Sequence, residues 1–296
     1  MRALVKCIRK FGVLTLGALI MYEALRLRAR LTSKLFKLDV NEPSAALRAA
    51  TIHNATGRAL PRPAPTVDRH GLHGVLHHCS GEAYSGIAQL SYANALEYTS
   101  RHKYALHDAN STSFPTGAFF TPKAWLKLAF MLHLLESHQY EWLLWTDCDV
   151  LIKNVSESID DLIKCLHVLP QHDVIVAKDA TAESPFNTGV MLVRGRSLWT
   201  RETVARALLL AEDSTIRNHI WWEQRALGVL YNENKHNEQS KMLIVQERWR
   251  LNAFAFLNEE QDSSFAWHRV NCRERNTCDA AFRRKYSQIH SIDVYD

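Results

Sequence analysis

The chain has 296 residues, a hydrophobic content of 47% and a formal net charge of +5. That length and apolar content suffice for one large core, or for one domain with appendages. The first 37 residues hold nine Lys/Arg and one acidic residue, a net of +8, so residues 38–296 carry 5 − 8 = −3. The basic charge belongs to the N-terminus, and the globular part lacks the positive excess that nucleic-acid binding requires.

The N-terminal segment has the pattern of a membrane-targeting sequence. Basic residues within 1–10 precede an apolar run over 11–25, an order that favours a cytosolic N-terminus. Those 15 residues give roughly 22 Å of helix, against about 30 Å of hydrocarbon. A short uncleaved signal anchor, a cleaved signal peptide and an amphipathic surface helix all remain open. We favour the anchor, because no small-x-small cleavage site follows the run.

Residues 26–69 are expected to form a stem, since they show little apolar periodicity and place three prolines within residues 60–65. The globular domain is expected over 70–296. Exposure of this domain to a secretory lumen has independent support from three glycosylation triplets, which begin at Asn54, Asn110 and Asn154.

An oxidising lumen would also permit disulfide bonds between cysteines. Cys272 and Cys278 are close enough in sequence to close a small loop by a disulfide. Cys148 and Cys165 lie in apolar patterns and are expected to be buried thiols. No cysteine spacing typical of a metal site occurs.

Strands and helices are predicted to alternate from residue 74 onward. Strands are predicted at 74–79, 104–107, 142–145, 173–177, 189–193 and 242–245. Helices are predicted at 85–101, from Thr121 and Pro122 through Leu135, and at 157–168, 198–211 and 222–231. The helix near 157 has Ser158 and Asp161 placed as a capping box. This alternation predicts an α/β fold with helices on both faces of one sheet.

The strand over Trp142 to Trp145 leads into two carboxylates, Asp147 and Asp149, separated by Cys148. Residues i and i+2 of a strand point the same way, so we expect the two aspartates to share a face while Cys148 turns inward. Such carboxylates repel each other unless a cation lies between them. A divalent metal at this point could hold the oxygens of a diphosphate, as a nucleotide-sugar site requires. The alternative is two solvated carboxylates in a turn.

Several separated segments together resemble glycosyltransferase family 34, which includes yeast α-galactosyltransferases, mannan polymerase subunits and plant xyloglucan xylosyltransferases. The matching segments are Trp125–Leu128, Glu141–Asp149, Asn187–Gly189, Glu223–Ala226 and His268–Cys272. The resemblance covers roughly residues 72–280. It implies a GT-A fold, whose mostly parallel twisted sheet carries helices on both faces.

The resemblance also implies an activity: a catalytic domain over 70–296 that uses Mn²⁺ (or Mg²⁺) and retains the anomeric configuration. The donor would be a nucleotide sugar such as UDP-galactose or UDP-xylose, and the acceptor a glycan or glycoprotein. The expected location is the lumenal side of the Golgi or endoplasmic reticulum membrane, in a single-pass type II protein.

Carried over by position, Asp147 and Asp149 would bind the metal and the nucleotide, and His268 would complete the metal site. Two carboxylates and one imidazole suit manganese better than zinc. Without the resemblance, His268 beside Trp267 would be read as a core histidine.

The resemblance gives roles to five further residues. Gln224 would lie near the anomeric carbon, where an amide oxygen could stabilise an oxocarbenium-like transition state. Glu223 would bind acceptor hydroxyls or act as a second carboxylate. Lys127 and Arg273 would contact phosphates, and Asn187 the donor sugar. Their alternatives are a polar helix start for Glu223, surface charges for Lys127 and Arg273, and a plain turn for Asn187.

Three positions depart from the family pattern. Arg273 stands where Lys is usual, Asn271 replaces a usual Gly, and Glu223 replaces a usual Asp. The departures at Asn271 and Glu223 keep open a second function, a sugar-binding or scaffold subunit without turnover. A third function, a haloacid-dehalogenase phosphatase with Asp147 as nucleophile, fits less well, because at least two predicted elements precede the aspartate strand.

Overall fold

The computed structural model describes residues 72–79, 84–109, 123–137, 139–270, 272 and 275–290. All of them belong to the second of two units, which divide the chain after residue 52. The expected cytosolic tail, signal anchor and stem lie outside this part of the chain, so all three remain predictions. Among the described residues, no helix is both long enough and apolar enough to span a membrane.

Nine strands occur in the described part of the chain. They are β1 His73–His77, β2 Ala105–Asp108, β3 Trp142–Thr146, β4 Val150–Ile152, β5 Val174–Ala177, β6 Asn187–Arg194, β7 Met242–Val245, β8 Ala253–Phe254 and β9 Ala266–His268. Six of them form the central sheet, in the order β2-β1-β3-β6-β5-β7. Strand β6 runs antiparallel to β3 and β5, while the other three pairings are parallel. The expectation of an α/β fold with a mostly parallel sheet is confirmed.

A second, three-stranded sheet has the order β4-β9-β8 and escaped sequence analysis. Its strands contain only two or three residues, too few to show an alternating pattern. Strand β4 directly follows the aspartate pair, and its first residue, Val150, lies opposite His268 of β9. This small sheet therefore brings a residue from the C-terminal part of the chain to the aspartates.

The described helices include the five expected ones. They are α1 Ala88–His102, α2 Leu126–Leu135, α3 Ile159–Cys165, α4 Leu198–Leu209, α5 Ser214–Arg217, α6 Trp222–Glu233, α7 Glu238–Lys241 and α8 Arg275–His290. Ser158 caps α3 as expected, because its hydroxyl oxygen accepts the Asp161 N–H at 3.0 Å. The expected cap of α2, Thr121 and Pro122, lies outside the described residues; a 3-10 turn at Lys123–Trp125 precedes that helix.

The core lies on both faces of the central sheet. On one face, residues such as Leu144, Ile175 and Leu192 pack with residues of α1, α3 and the second sheet. The alternate strand residues, such as Leu143 and Met191, are also buried. Because alternate residues point to opposite faces, the sheet is covered on both sides, as expected.

The cysteines differ in part from expectation. Cys272 and Cys278 form the expected disulfide. Cys148 is buried as expected but is not a thiol, and the expectation of a buried thiol was wrong for Cys165. Cys148 is bonded to Cys79, 69 residues away, which no local sequence pattern could indicate. Cys165 is a free, exposed thiol, because it falls beside the buried stripe of α3 rather than on it.

Candidate active site

The two aspartates lie in the turn that connects the central sheet to the second sheet. The N–H of Val150 donates to the carbonyl oxygen of Asp147 at 3.1 Å, so residues 147–150 form a tight turn. The N–H of Asp147 donates to the carbonyl oxygen of Gly189 at 2.8 Å. This corrects the expectation that strand alternation orients Asp147 and Asp149: the strand ends at residue 146, and the anchored turn directs both carboxylates.

His268 completes a group of three possible metal ligands. Its Nε2 lies 3.2 Å from Oδ1 of Asp149, and potential ligand atoms of Asp147, Asp149 and His268 all lie within 4.8 Å of one another. Asp149 and His268 are 6% and 3% exposed, whereas the Asp147 side chain is 31% exposed. The trio therefore has one accessible side, from which a ligand could approach.

Gly189 makes room for the histidine ring. A Cβ atom at this position would lie 2.3 Å from Cε1 and 2.7 Å from Nδ1 of His268. Phe254 packs edge-on against the same ring, with centroids 5.6 Å apart. The Asn-Thr-Gly segment thus contributes a glycine that lets the imidazole reach the aspartates.

The donor atoms and charges of this cluster fit a divalent cation. Asp147, Asp149 and Glu223 supply three carboxylates, and Lys127 supplies one ammonium, which leaves an excess of two negative charges. Nε2 of His268 faces Asp149, whereas Nδ1 is buried against Gly189 without a hydrogen-bond partner, so Nε2 is the ring nitrogen that could bind a metal. Carboxylate oxygens with one imidazole suit Mn²⁺ or Mg²⁺.

Lys127 bridges the aspartate turn and helix α6. Its Nζ lies 2.8 Å from Oδ1 of Asp147 and 2.8 Å from Oε1 of Glu223. It also donates to the carbonyl oxygen of Thr188 at 3.0 Å and to its hydroxyl oxygen at 3.2 Å. The ammonium is buried, and all three of its protons have protein acceptors nearby. Contact between Lys127 and a donor phosphate stays a prediction.

Electrostatics keep this lysine protonated. Burial alone would lower the pKa of Lys127, but Asp147 and Glu223 outweigh that effect and raise the pKa above its usual value. For Glu223, burial raises the pKa and Lys127 opposes the rise. The aspartates also affect Tyr84. Burial, and after it the negative charges of Asp149 and Asp147, raise the pKa of the Tyr84 hydroxyl.

Gln224 is held by hydrogen bonds at both ends of its amide. Its Oε1 accepts the N–H of Thr188 at 3.1 Å, and its Nε2 donates to Oδ2 of Asp179 at 2.9 Å and to the hydroxyl oxygen of Ser184 at 3.0 Å. The hydroxyl of Thr188 also donates to Glu223, at 3.2 Å. Glu223 and Gln224 thus face the Asn-Thr-Gly segment, with their side chains in fixed orientations.

Asn187 joins the site from the start of β6. Its Oδ1 accepts the N–H of Gly189 at 2.8 Å and the side-chain N–H of Asn252 at 3.0 Å. Contact with a donor sugar stays a prediction for this residue. Arg273 and Asn271 lie outside the described residues, so the prediction for Arg273 is unchanged.

Several residues of this network were not predicted from the sequence. Asp179 follows β5 by two residues, and a carboxylate just after a buried strand was the signal that could have found it. Trp145 donates its indole N–H to Oδ1 of Asp147 at 2.6 Å. Trp222 precedes Glu223 with a φ of 37°, a backbone conformation that non-glycine residues rarely adopt. No local pattern indicates Asn252 or Trp222.

The model of the galactosyl transferase GMA12/MNN10 family matches residues 75–172, which begin within β1 and include β3, the aspartate turn and α3. The resemblance to glycosyltransferase family 34 is confirmed. A solved structure, that of a glycosyltransferase involved in the glycosylation of the major capsid of PBCV-1, is 19% identical. The match has a TM-score of 0.57 and covers 71% of this chain and 98% of that one. The apo-form glycosyltransferase GlyE of Streptococcus pneumoniae TIGR4 is 14% identical, with a TM-score of 0.42, over 73% of this chain and 62% of that one. No curated protein sequence matches this chain at a significant level.

The family match supports glycosyl transfer as the activity class, and the likeness to the first solved structure confirms the expected fold. The match supports a nucleotide-sugar donor and lends nothing to the phosphatase alternative. Lys127, Asp147 and Asp149 lie within the matched residues. Asn187, Glu223, Gln224 and His268 lie beyond them, so their roles are argued from geometry.

Proposed function

We propose that this glycosyltransferase transfers galactose or xylose from a UDP-sugar to a glycan acceptor, with a divalent metal and with retention of anomeric configuration. One observation carries the proposal: Asp147, Asp149 and His268 arrive from two separate regions of the chain and place ligand atoms within 4.8 Å of one another. Beside them, Lys127, Glu223 and Gln224 form a buried polar network.

Asp147, Asp149 and His268 would hold Mn²⁺ or Mg²⁺. When bound, such a metal acts as a Lewis acid that offsets the charge developing on the departing diphosphate. Lys127 pairs with Asp147 and Glu223 from the protein side, which holds these two carboxylates close together without closing the exposed face of Asp147. The residues are therefore oriented before any ligand arrives, and little reorganisation is needed during the reaction.

Gln224 is proposed to stabilise positive charge at the anomeric carbon. Its amide oxygen carries a partial negative charge, and the contacts with Thr188, Asp179 and Ser184 fix the direction of that dipole. A fixed dipole stabilises a developing charge better than a mobile one. Glu223, hydrogen-bonded to Thr188 and paired with Lys127, is proposed to contact acceptor hydroxyls as a second carboxylate.

We further propose that the chain is a single-pass type II protein of the Golgi or endoplasmic reticulum membrane, anchored by residues 11–25. The two disulfides support a lumenal location, because such bonds persist in oxidising compartments. Of the three glycosylation triplets, only the one that begins at Asn154 lies within the described residues. Asn154 donates its side-chain N–H to Glu157 at 3.1 Å. Glycosylation of Asn154 remains a prediction.

The test measures release of UDP from a donor panel that includes UDP-galactose and UDP-xylose, with and without Mn²⁺. We expect Mn²⁺-dependent turnover that His268→Gln lowers by at least tenfold, because ligand loss weakens metal binding. The matched control, His236→Gln, changes an exposed histidine outside the site and should leave turnover unchanged. Proton NMR of the first product would show the donor's anomeric configuration retained.

The scaffold alternative gives a different outcome in the same experiment. A non-catalytic subunit would bind UDP in the presence of Mn²⁺ but release no UDP from any donor, with any glycan acceptor. Metal-independent turnover, or an inverted product, would contradict the proposed mechanism while leaving the activity class intact.

A further inference from the structure

Asp147, Cys148 and Asp149 of the aspartate turn are each bonded, by a hydrogen bond or a disulfide, to a residue at or near the end of a different strand. Asp147 donates its N–H to Gly189 of β6 at 2.8 Å, and Asp149 accepts the N–H of Arg269, which follows β9, at 2.9 Å. Between them, Cys148 is bonded covalently to Cys79, two residues beyond β1. The disulfide thus attaches to the one residue that separates the two expected metal ligands.

The surroundings of this disulfide separate it from the ligand side of the turn. Cys148 is 6% exposed and packs in an apolar cluster with Ile87, Leu151 and Trp267. Cys79 and Tyr84 lie at the edge of the same cluster. The sulfur therefore occupies the buried side of the turn, while Asp147 keeps its partly exposed side.

The Cys79–Cys148 disulfide can hold the aspartate turn closed. Asp147 and Asp149 carry like charges, and the Lys127 ammonium contacts only Asp147 of the two, so without a bound metal their repulsion is offset only in part. The two backbone hydrogen bonds can exchange with water, whereas a disulfide stays closed until it is chemically reduced. Its loss would free the residue between the carboxylates, and metal affinity depends on how precisely the ligands are oriented.

We propose that the Cys79–Cys148 disulfide is a positioning element of the metal site, so that the donor is bound tightly only by the oxidised protein. The inference rests on the proposed function, because it assumes that Asp147 and Asp149 bind the metal. Reduction by a dithiol breaks the S–S bond and yields two cysteine thiols, while the dithiol gives up two electrons and two protons and closes into its own disulfide.

The experiment measures Mn²⁺ affinity directly, from the electron paramagnetic resonance signal of free aqueous Mn²⁺. The oxidised chain is compared with the same chain reduced by a dithiol and then exchanged, without oxygen, into reductant-free buffer. The double variant Cys79→Ser/Cys148→Ser is measured beside it. We expect both altered forms to bind Mn²⁺ at least tenfold more weakly, and the double variant to be insensitive to the dithiol.

Two control variants separate positioning from general stabilisation. Cys272→Ser/Cys278→Ser removes the other disulfide, and Cys165→Ser removes a free exposed thiol. The first is expected to lower the melting temperature and yet retain a dithiol-sensitive Mn²⁺ affinity. The second should behave like the parent chain in both measurements. A purely structural role for Cys79–Cys148 would lower the melting temperature without this selective effect on Mn²⁺.

The outcomes are distinguishable. Equal Mn²⁺ affinity of the oxidised chain and of a folded form that lacks the bond, as confirmed by thiol counting, would overturn the positioning role but leave the proposed function standing. Unfolding of both altered forms would also overturn it, since the bond would then hold the fold rather than the site. If the oxidised parent chain binds neither Mn²⁺ nor UDP, the proposed function itself fails.

Discussion

Gly189 lies directly against the imidazole of His268, so close that a methyl group on its Cα would stand 2.3 Å from Cε1 of the ring. The two residues are 79 positions apart in the chain, and their contact decides whether the ring can reach Asp149. A glycine is needed here for space rather than for an unusual backbone angle.

Replacement of this glycine should damage metal binding selectively. In Gly189→Ala, the new Cβ would displace the His268 ring, which Phe254 packs against from another side. We expect Mn²⁺ affinity to fall by about tenfold or more. The control is Gly228→Ala in helix α6, where the nearest atom would be 3.6 Å away and alanine favours the helix. Equal Mn²⁺ affinity of the two variants, by titration, would contradict this role of Gly189.

Removal of the buried ammonium should destabilise the protein. Lys127→Met leaves Glu223 buried without its partner, a loss that costs about 3–5 kcal/mol in comparable sites. Adding Glu223→Gln removes the orphaned charge, so the double variant should unfold at a higher urea concentration than Lys127→Met alone. Urea titrations of the four forms give the coupling energy. Simple additivity of the two substitutions would mean that the pair is not coupled.

Loss of the Gln224 amide should slow transfer more than it weakens donor binding. Gln224→Ala removes a dipole proposed to act only as charge develops, so we expect kcat to fall by about 10²–10³-fold while the donor KM changes little. Gln246→Ala, at an exposed position after β7, is the matched control. Steady-state kinetics with a glycan acceptor make the comparison, and an unchanged kcat would favour the scaffold alternative.

Stability should decline on mild acidification, in part because of His107. This ring lies 2.6 Å from the Tyr140 hydroxyl oxygen, and burial, assisted by His133, lowers the pKa of His107 to about 4. The unfolded chain takes up the proton below the ordinary pKa of 6.5, and the folded chain does so only near 4. The contribution of a neutral His107 is therefore present above pH 6.5 and is lost progressively as the pH falls towards 4.

Urea unfolding between pH 7.5 and 4.5 measures this slope. His107→Gln should reduce it, because the residue that gains a proton on unfolding is gone. His236→Gln, which changes an exposed histidine, should leave the slope as it is. An undiminished slope in His107→Gln would assign the acid sensitivity to other groups, such as His73, whose pKa burial also lowers.

The central sheet and the main helices could be predicted from sequence because their signals are local. The apolar run Trp142–Trp145 is long enough to identify β3, and Ser158 caps α3 where its spacing to Asp161 indicates. The aspartates were found because they follow a recognisable strand. Their orientation was not, since a strand cannot be distinguished from a turn one residue past its end.

The sequence by itself determined which residue types are available to the site: two carboxylates after a buried strand, an Asn-Thr-Gly segment and an isolated histidine. Only the tertiary structure decided that His268 lies beside Asp149, that Lys127 pairs with Glu223 as well as with Asp147, and that Cys148 is bonded to Cys79. The reason is physical: propensity and periodicity act over a few residues, whereas these contacts join positions 20 to 119 residues apart. The packing of two sheets, which includes strands too short to show any pattern, brings those positions together.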